Sequence, residues 1–339
     1  MESPVHTIQI EPLEESSVKG QDFVLKSFKL TLFLLKLHGY RIDPRGIYQK
    51  AEGIPFKIYR YFMLALSFYL IGHTCRWMTL GIIARSTGDT TITFSNIFYS
   101  EHVAACLILL FNCLNFKNKQ VISALESVFG TAQFLNLNAS SLAASIWRRA
   151  WIMAIIAIVH FLACAIPNLF LVVQITISDP KSIAKASEIY LGVSDPVLAP
   201  IMAITLEFFI AVLSSSVQVY ISLIFLIIHV LNSCLKCANN EFLEKSSLGQ
   251  VQVQHFQILV QYHRKISNAI NAVNVALSPC LFTIIVIKGV ELVAAYDIIK
   301  WSMTSPTYWL VQIIIFLVLM AGFIFAISVT TGNLTKEVM

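Results

Sequence analysis

Charge is what this chain has least of. Only 13% of its 339 residues are Asp, Glu, Lys or Arg, about half the share of a typical soluble domain. With 57% of the residues hydrophobic and a mean hydropathy of +0.73, the composition excludes an ordinary soluble globular protein. The strand-length alternation of a membrane β-barrel is missing. So is the apolar core of a secretory signal, because "MESPVHTIQIEPLEESS" carries Glu2, Glu11, Glu14 and Glu15. The first span is therefore expected to act as its own targeting signal. Absent too are G-x-S-x-G, H-E-x-x-H, the P-loop and the dinucleotide fingerprint, so neither an enzyme nor a cofactor is expected. Of seven cysteines, Cys234 and Cys237 form one C-x-x-C. No second pair or His cluster accompanies it, so no metal site is expected. A structural or palmitoylated juxtamembrane pair is the remaining reading.

What the chain does have is long apolar runs. Six of them can cross a hydrocarbon core about 30 Å thick: Tyr61–Ile83, Ile97–Phe116, Ala150–Ile177, Val197–Leu231, Val273–Ile299 and Tyr308–Val329. The expected fold class is all-α, a polytopic helical membrane protein with six transmembrane helices and long cytoplasmic helix extensions. The run "FKLTLFLLKLHGY" (Phe28–Tyr40) is too short to span and contains Lys29 and Lys36. It reads as an interfacial or re-entrant helix. The organisation is then a cytoplasmic N-tail over 1–57 that includes this short helix. A transmembrane domain follows over 58–329, with a cytoplasmic anchor region at 232–272, and a C-tail covers 330–339.

Lys and Arg set the orientation. Eighteen fall on the side of the N-tail, the second and fourth loops and the C-tail, against four on the other. Both termini are thus expected in the cytoplasm of a multi-pass plasma-membrane protein. The net charge of +5 is accounted for by this bias and the lipid bilayer, with no nucleic-acid partner. The sequons at Asn138 and Asn333 fall on the cytoplasmic side, so neither is expected to carry glycan.

"QYHRKISNAINAVNVALSPCLFTIIVIKGVEL" (Gln261–Leu292) begins like a soluble helix and ends like a buried one. From just before it, Phe256, Leu259, His263, Ile266, Ile270, Val273 and Leu277 recur in steps of 3 and 4. That is a heptad-like seam, broken in character only by His263. The period passes into the fifth span without a break. One helix from Val251 to Ile299 would be about 73 Å long, more than twice the membrane core. The fourth span also runs on past Leu231. Two helices therefore project into the cytoplasm with apolar stripes that must be buried there.

Ionisable groups inside spans are functional candidates because a charge in lipid is costly. Glu207 lies about three turns into the fourth span, and Ser214, Ser215, Ser216 and Gln218 follow. Two readings stand for this stripe: a ligand cavity open to the outside, or a packing patch whose small residues let helices approach closely. His160, ahead of Pro167, and His73, one turn from Arg76, are further pocket candidates. The competing reading makes His160 a satisfied packing partner and lets Arg76 snorkel to the interface. Lys288 and Glu291 sit i, i+3 on one helix face and read as an intramembrane ion pair.

The helix "LVQYHRKISNAINAVNVALSPCLFTIIV" resembles the third intracellular loop and fifth span of insect gustatory receptors, and "LFLLKLHGYRIDPRG" resembles their entry segment. A cytoplasmic N-terminus and long helices joined by short loops agree with that likeness. The resemblance implies a seven-helix, ligand-gated cation channel assembled as a homo- or hetero-tetramer and opened by a small-molecule tastant or odorant. It implies a ligand pocket in the outer halves of the early spans, and a central anchor built from the cytoplasmic extensions of later helices, here Phe256, Leu259, His263, Ile266 and Ile270. It also implies a seventh, pore-lining helix with the motif T-Y-x-x-x-x-x-Q-F, which this sequence lacks. "TYWLVQIIIF" separates Tyr308 from Gln312 by three residues and opens the sixth span instead. On this reading the chain is a gustatory-type receptor subunit without its last helix. A small-molecule transporter and a G-protein-coupled-type receptor are the alternatives. The first is disfavoured by the absence of internal repeats, the second by the charge bias.

Overall fold

The computed structural model describes residues 27–40, 42, 53–86, 107, 108, 110, 116–135, 137, 139–179, 181, 195–247 and 253–293, together with positions 314, 318, 321 and 322. Six helices can be bounded among them: α1 (Lys29–Leu37), α2 (Ile54–Ser86), α3 (Phe116–Phe134), α4 (Ala139–Ser178), α5 (Leu198–Ser247) and α6 (Val253–Val293). No strand occurs among the described residues. Most of the second expected span, all but a few positions of the sixth, and the asparagines of both sequons lie outside the described residues.

α5 organises the rest. It carries apolar residues on every side, and a helix of that kind is stable only when covered all round. Accordingly 89% of its apolar window is buried, against 22–33% for the corresponding windows of α2, α4 and α6. Its start is written in "SDPV". Asp195 Oδ1 accepts hydrogen bonds from the backbone N–H groups of Val197 (2.8 Å) and Leu198 (2.9 Å), and Pro196 follows the cap in the first turn. Those donors, Leu198 foremost, hold the Asp195 carboxyl below its ordinary range. At 50 residues, α5 is about 75 Å long, well beyond any bilayer.

α4 runs antiparallel to α5 in the most extensive contact among the described helices. Its pattern is inside-out. Ala143, Ala150, Ala154, Ala157 and Ala165 face inward, while Ile152, Ile155, Ile158, Val159, Leu162 and Phe170 face outward. In water that arrangement would be unstable. In lipid the outer face has an apolar solvent, and small inner residues let two backbones approach. The geometry therefore matches a polytopic membrane protein, and α2, α4, α5 and α6 are each long and apolar enough to cross. Hydroxyls along these helices return to their own backbone, as in Ser67→Met63 O (2.8 Å), Thr205→Ile201 O (2.7 Å) and Thr283→Pro279 O (2.9 Å). Such bonds satisfy the polar groups within one helix.

α6 is continuous through Pro279, as the unbroken period anticipates, and its 41 residues span about 62 Å. Its first half packs on α3. The sequence reading leaves 117–149 as a loop, but the chain there forms α3 and the start of α4. The signal was present: Val121, Leu125, Val128 and Ala132 are buried at helical steps of 3 and 4. Lys117, Lys119, Gln120 and Glu126 kept it from reading as a span.

The short helix α1 is set into the bundle against α5 and α4. Phe28, Leu32 and Leu35 are fully buried, and Phe28 meets Phe129 of α3 edge-on at 5.1 Å. "HGY" stops α1. Gly39 adopts φ 87°, a conformation that favours glycine. The N–H of Tyr40 bonds Leu35 O and that of Gly39 bonds Lys36 O, both at 3.0 Å, which is a Schellman stop. This turn aims Tyr40 back at α5.

Candidate functional site: the polar stretch of α5

Below Glu207 the buried face of α5 turns polar. Ser214, Ser215, Ser216, Gln218 and Ser222 are all buried. α1 closes over the middle of this stretch. His38 Nδ1 donates to Leu34 O at 2.7 Å, which leaves Nε2 of the neutral ring to accept from Ser215 Oγ, also at 2.7 Å. The same hydroxyl lies 2.8 Å from Val212 O, so one hydrogen serves two acceptors. Tyr40 OH donates to Ser216 Oγ at 3.3 Å, and its ring packs on Tyr220 at 5.8 Å. From α2, Tyr59 OH donates to Leu37 O at 2.6 Å, and the Phe56 ring lies under the Lys36 ammonium at 4.8 Å.

Serines 215 and 216 thus hold α1 in place, the packing member of the two readings. Ser214 differs. Its hydroxyl is buried with no hydrogen-bond partner among the described residues, an arrangement that costs free energy unless a ligand or water completes it.

Glu207 is half-buried. Its neighbour Phe208 meets Phe161 of α4 edge-on at 5.8 Å, and His160 is the residue before Phe161. Glu207 and the buried His160 therefore occupy the same level of the α4–α5 pair. On α2, Phe62 packs on Phe209 at 4.9 Å. His73 lies eleven residues further along that helix, about 16 Å. The side chains of His73, Lys288 and Glu291 lie outside the described residues.

The seam on α6 divides. Ile266 is 2% exposed and Leu277 is buried, with Ile270 and Val273 half-buried between them. Thr131 Oγ1 of α3 reaches Lys265 O at 3.5 Å, and Phe134 meets Tyr262 edge-on at 5.6 Å. The earlier part lacks such cover: Phe256 is 58% exposed, His263 is exposed and Leu259 is half-buried. Cys234 is buried inside the bundle, and Cys237 Sγ lies 3.8 Å from Leu135 O. Among the described residues no group of three or more His, Cys, Asp or Glu could hold a metal ion.

His38, α1 and the Schellman turn were not singled out as a site by sequence reasoning, although "LHGY" held the signal. Burial pushes the His38 imidazole below its ordinary 6.5, opposed in part by the Leu34 bond. The unfolded chain then takes up a proton near 6.5 while the folded chain does not. Stability is expected to be full above that pH and to decline as pH falls toward the folded value. Thermal unfolding of detergent-solubilised protein from pH 7.5 to 5 should show a shallower acid decline in His38→Gln than in wild type. Identical slopes would show that His38 is not held neutral by its site.

The architecture defines a polytopic helical membrane protein with the fold of insect olfactory receptors. Over 94% of this chain, it superposes on 81% of the olfactory receptor OR5 of Machilis hrabei with a TM-score of 0.71 and 12% identity. The same receptor in complex with eugenol gives 0.64 and 15% identity, over 95% of this chain and 82% of that one. No protein-family model matches the sequence, and no curated protein matches it.

Proposed function

We propose that this chain is a member of the insect chemoreceptor superfamily and acts as a small-molecule-gated cation channel subunit. The observation that carries this is the olfactory-receptor fold maintained over 94% of the chain. Eugenol bound to the similar receptor supports a small tastant or odorant as the class of ligand. The gustatory subtype is supported by the likeness of the α6 helix and the entry segment. The excess of Lys and Arg on one side supports a plasma-membrane protein with a cytoplasmic N-terminus. The exposed part of the seam, Phe256 to His263, supports assembly with related subunits, as a homo- or hetero-tetramer, through this anchor. Glu207, with His160 at its level, is the outward-facing end of the ligand site, and Ser214 and Gln218 are its deeper polar groups.

The test is electrical. The chain is expressed alone and with related receptor subunits, and cation current is recorded against a panel of small aromatic and sugar ligands that includes eugenol. Glu207→Gln should change the half-maximal ligand concentration several-fold without reducing surface delivery. Loss of delivery with unchanged potency would return Glu207 to a packing role. G-protein signalling or substrate uptake without conductance would favour the receptor or transporter alternatives. A tag at Met1 that is labelled on intact cells would overturn the orientation.

A further inference from the structure

Seven residues past Ser222, α4 and α5 share a contact of opposite character. Ser145 Oγ and His229 Nε2 lie 2.9 Å apart across the helix pair. Arg149 is one turn from Ser145, and Lys236 is two turns from His229, so both lie on the faces that carry this bond. Both are near enough to act electrostatically on His229, and both are exposed. α4 carries no Asp or Glu from Ala139 to Ser178, nor does α5 from Phe208 to Asn240. Over these stretches the two helices are net positive, with Glu241 the next acid beyond Lys236 on α5.

The neighbourhood says what kind of anion fits. Trp147 and Trp151 of α4 pack edge-to-face at 6.0 Å and are 44% and 48% exposed. Beyond them the outward face is Ile152, Ile155, Ile158 and Val159. Trp followed by an apolar outer face marks the boundary between headgroups and acyl chains. A soluble anion would have no use for that face, whereas a lipid would lay its chains along it. The cations come from two helices with a hydroxyl and an imidazole between them, so they match phosphates at more than one point of a headgroup.

We propose that the paired faces of α4 and α5 at Ser145, Arg149, His229 and Lys236 bind the headgroup of a phosphorylated inositol lipid. Basic pockets between spans on the cytoplasmic side are suited to such headgroups. The site rests on the cytoplasmic placement of this end of α4 given above, and it is separate from the ligand site at Glu207.

The experiment uses the purified full chain in detergent and titrates it with dioctanoyl phosphatidylinositol 4,5-bisphosphate, counting bound lipid by native mass spectrometry. Saturable binding of one lipid per chain is expected. Arg149→Gln combined with Lys236→Gln should weaken it at least tenfold, and Arg264→Gln, which removes an exposed cation of α6, should not. Dioctanoyl phosphatidylserine should bind at least tenfold more weakly. An equal loss from Arg264→Gln, or equal binding of phosphatidylserine, would overturn the site in favour of diffuse attraction. Equal affinity for free inositol 1,4,5-trisphosphate would overturn the lipid assignment. Should the double variant yield no protein, Arg149→Gln alone is compared with Arg264→Gln on the same terms. No current is measured, so failure of the channel reading would leave the result interpretable.

Discussion

Ile266→Glu is expected to prevent folding, while Phe256→Glu is expected to leave the chain folded and remove its assembly. The two residues lie on one seam, ten positions apart, and differ in what covers them. Ile266 is 2% exposed in the contact between α3 and α6. Burying a carboxylate there without a built partner should cost at least about 3 kcal/mol, a large share of any domain's stability. Phe256 is 58% exposed in the single chain, so the fold loses little when it is changed. A subunit packed on it would lose a large aromatic contact. Fluorescence-detected gel filtration and thermal unfolding separate the outcomes. Ile266→Glu that melts like wild type would show that α3 and α6 do not form a load-sharing core. Phe256→Glu that keeps its oligomeric size would move the assembly surface elsewhere.

Ala157→Leu on α4 and Ala211→Leu on α5 should each destabilise by about 1–3 kcal/mol, as overpacking of a close interface does. Both alanines are buried on helices that share the most extensive contact among the described helices. Association of helices in lipid depends on backbone approach, since the surrounding tails are as apolar as any side chain. An added isobutyl group at either site separates the pair and opens the neighbouring contact of Phe161 with Phe208. Ala144→Leu, on the exposed side of the same helix, makes the same chemical change without that consequence. Its unfolding midpoint should match wild type. If all three variants melted alike, the inward alanines would have no packing role.

The ligand-site candidates show where sequence reading reaches its limit. Glu207, Ser214, Gln218 and His160 were visible because a polar group within an apolar run is anomalous wherever it points. That Ser215 and Ser216 hold α1, while Ser214 is left without a partner, was not visible. It depends on a contact between residues 177 positions apart. The seam was legible as a period, but one chain's period does not say which half its own α3 covers.

Local chemistry, readable from the sequence, determined the element type, four of the six expected spans, the unbroken passage of α6 through Pro279 and the charge asymmetry. Each follows from hydrophobic period, run length and residue type within a few turns. Tertiary structure decided the rest. It buried the middle of α5 on all sides and drew the amphipathic stretch at 116–134 out of a supposed loop. It seated α1 inside the bundle through His38 and Tyr40, and it put alanines inward and isoleucines outward on α4. For α4 and α5 the physical reason is the same. An apolar residue in a membrane helix is equally content against lipid or against protein, so hydrophobicity no longer tells inside from outside. That choice passes to shape and to the few hydrogen bonds that long-range contact alone can make.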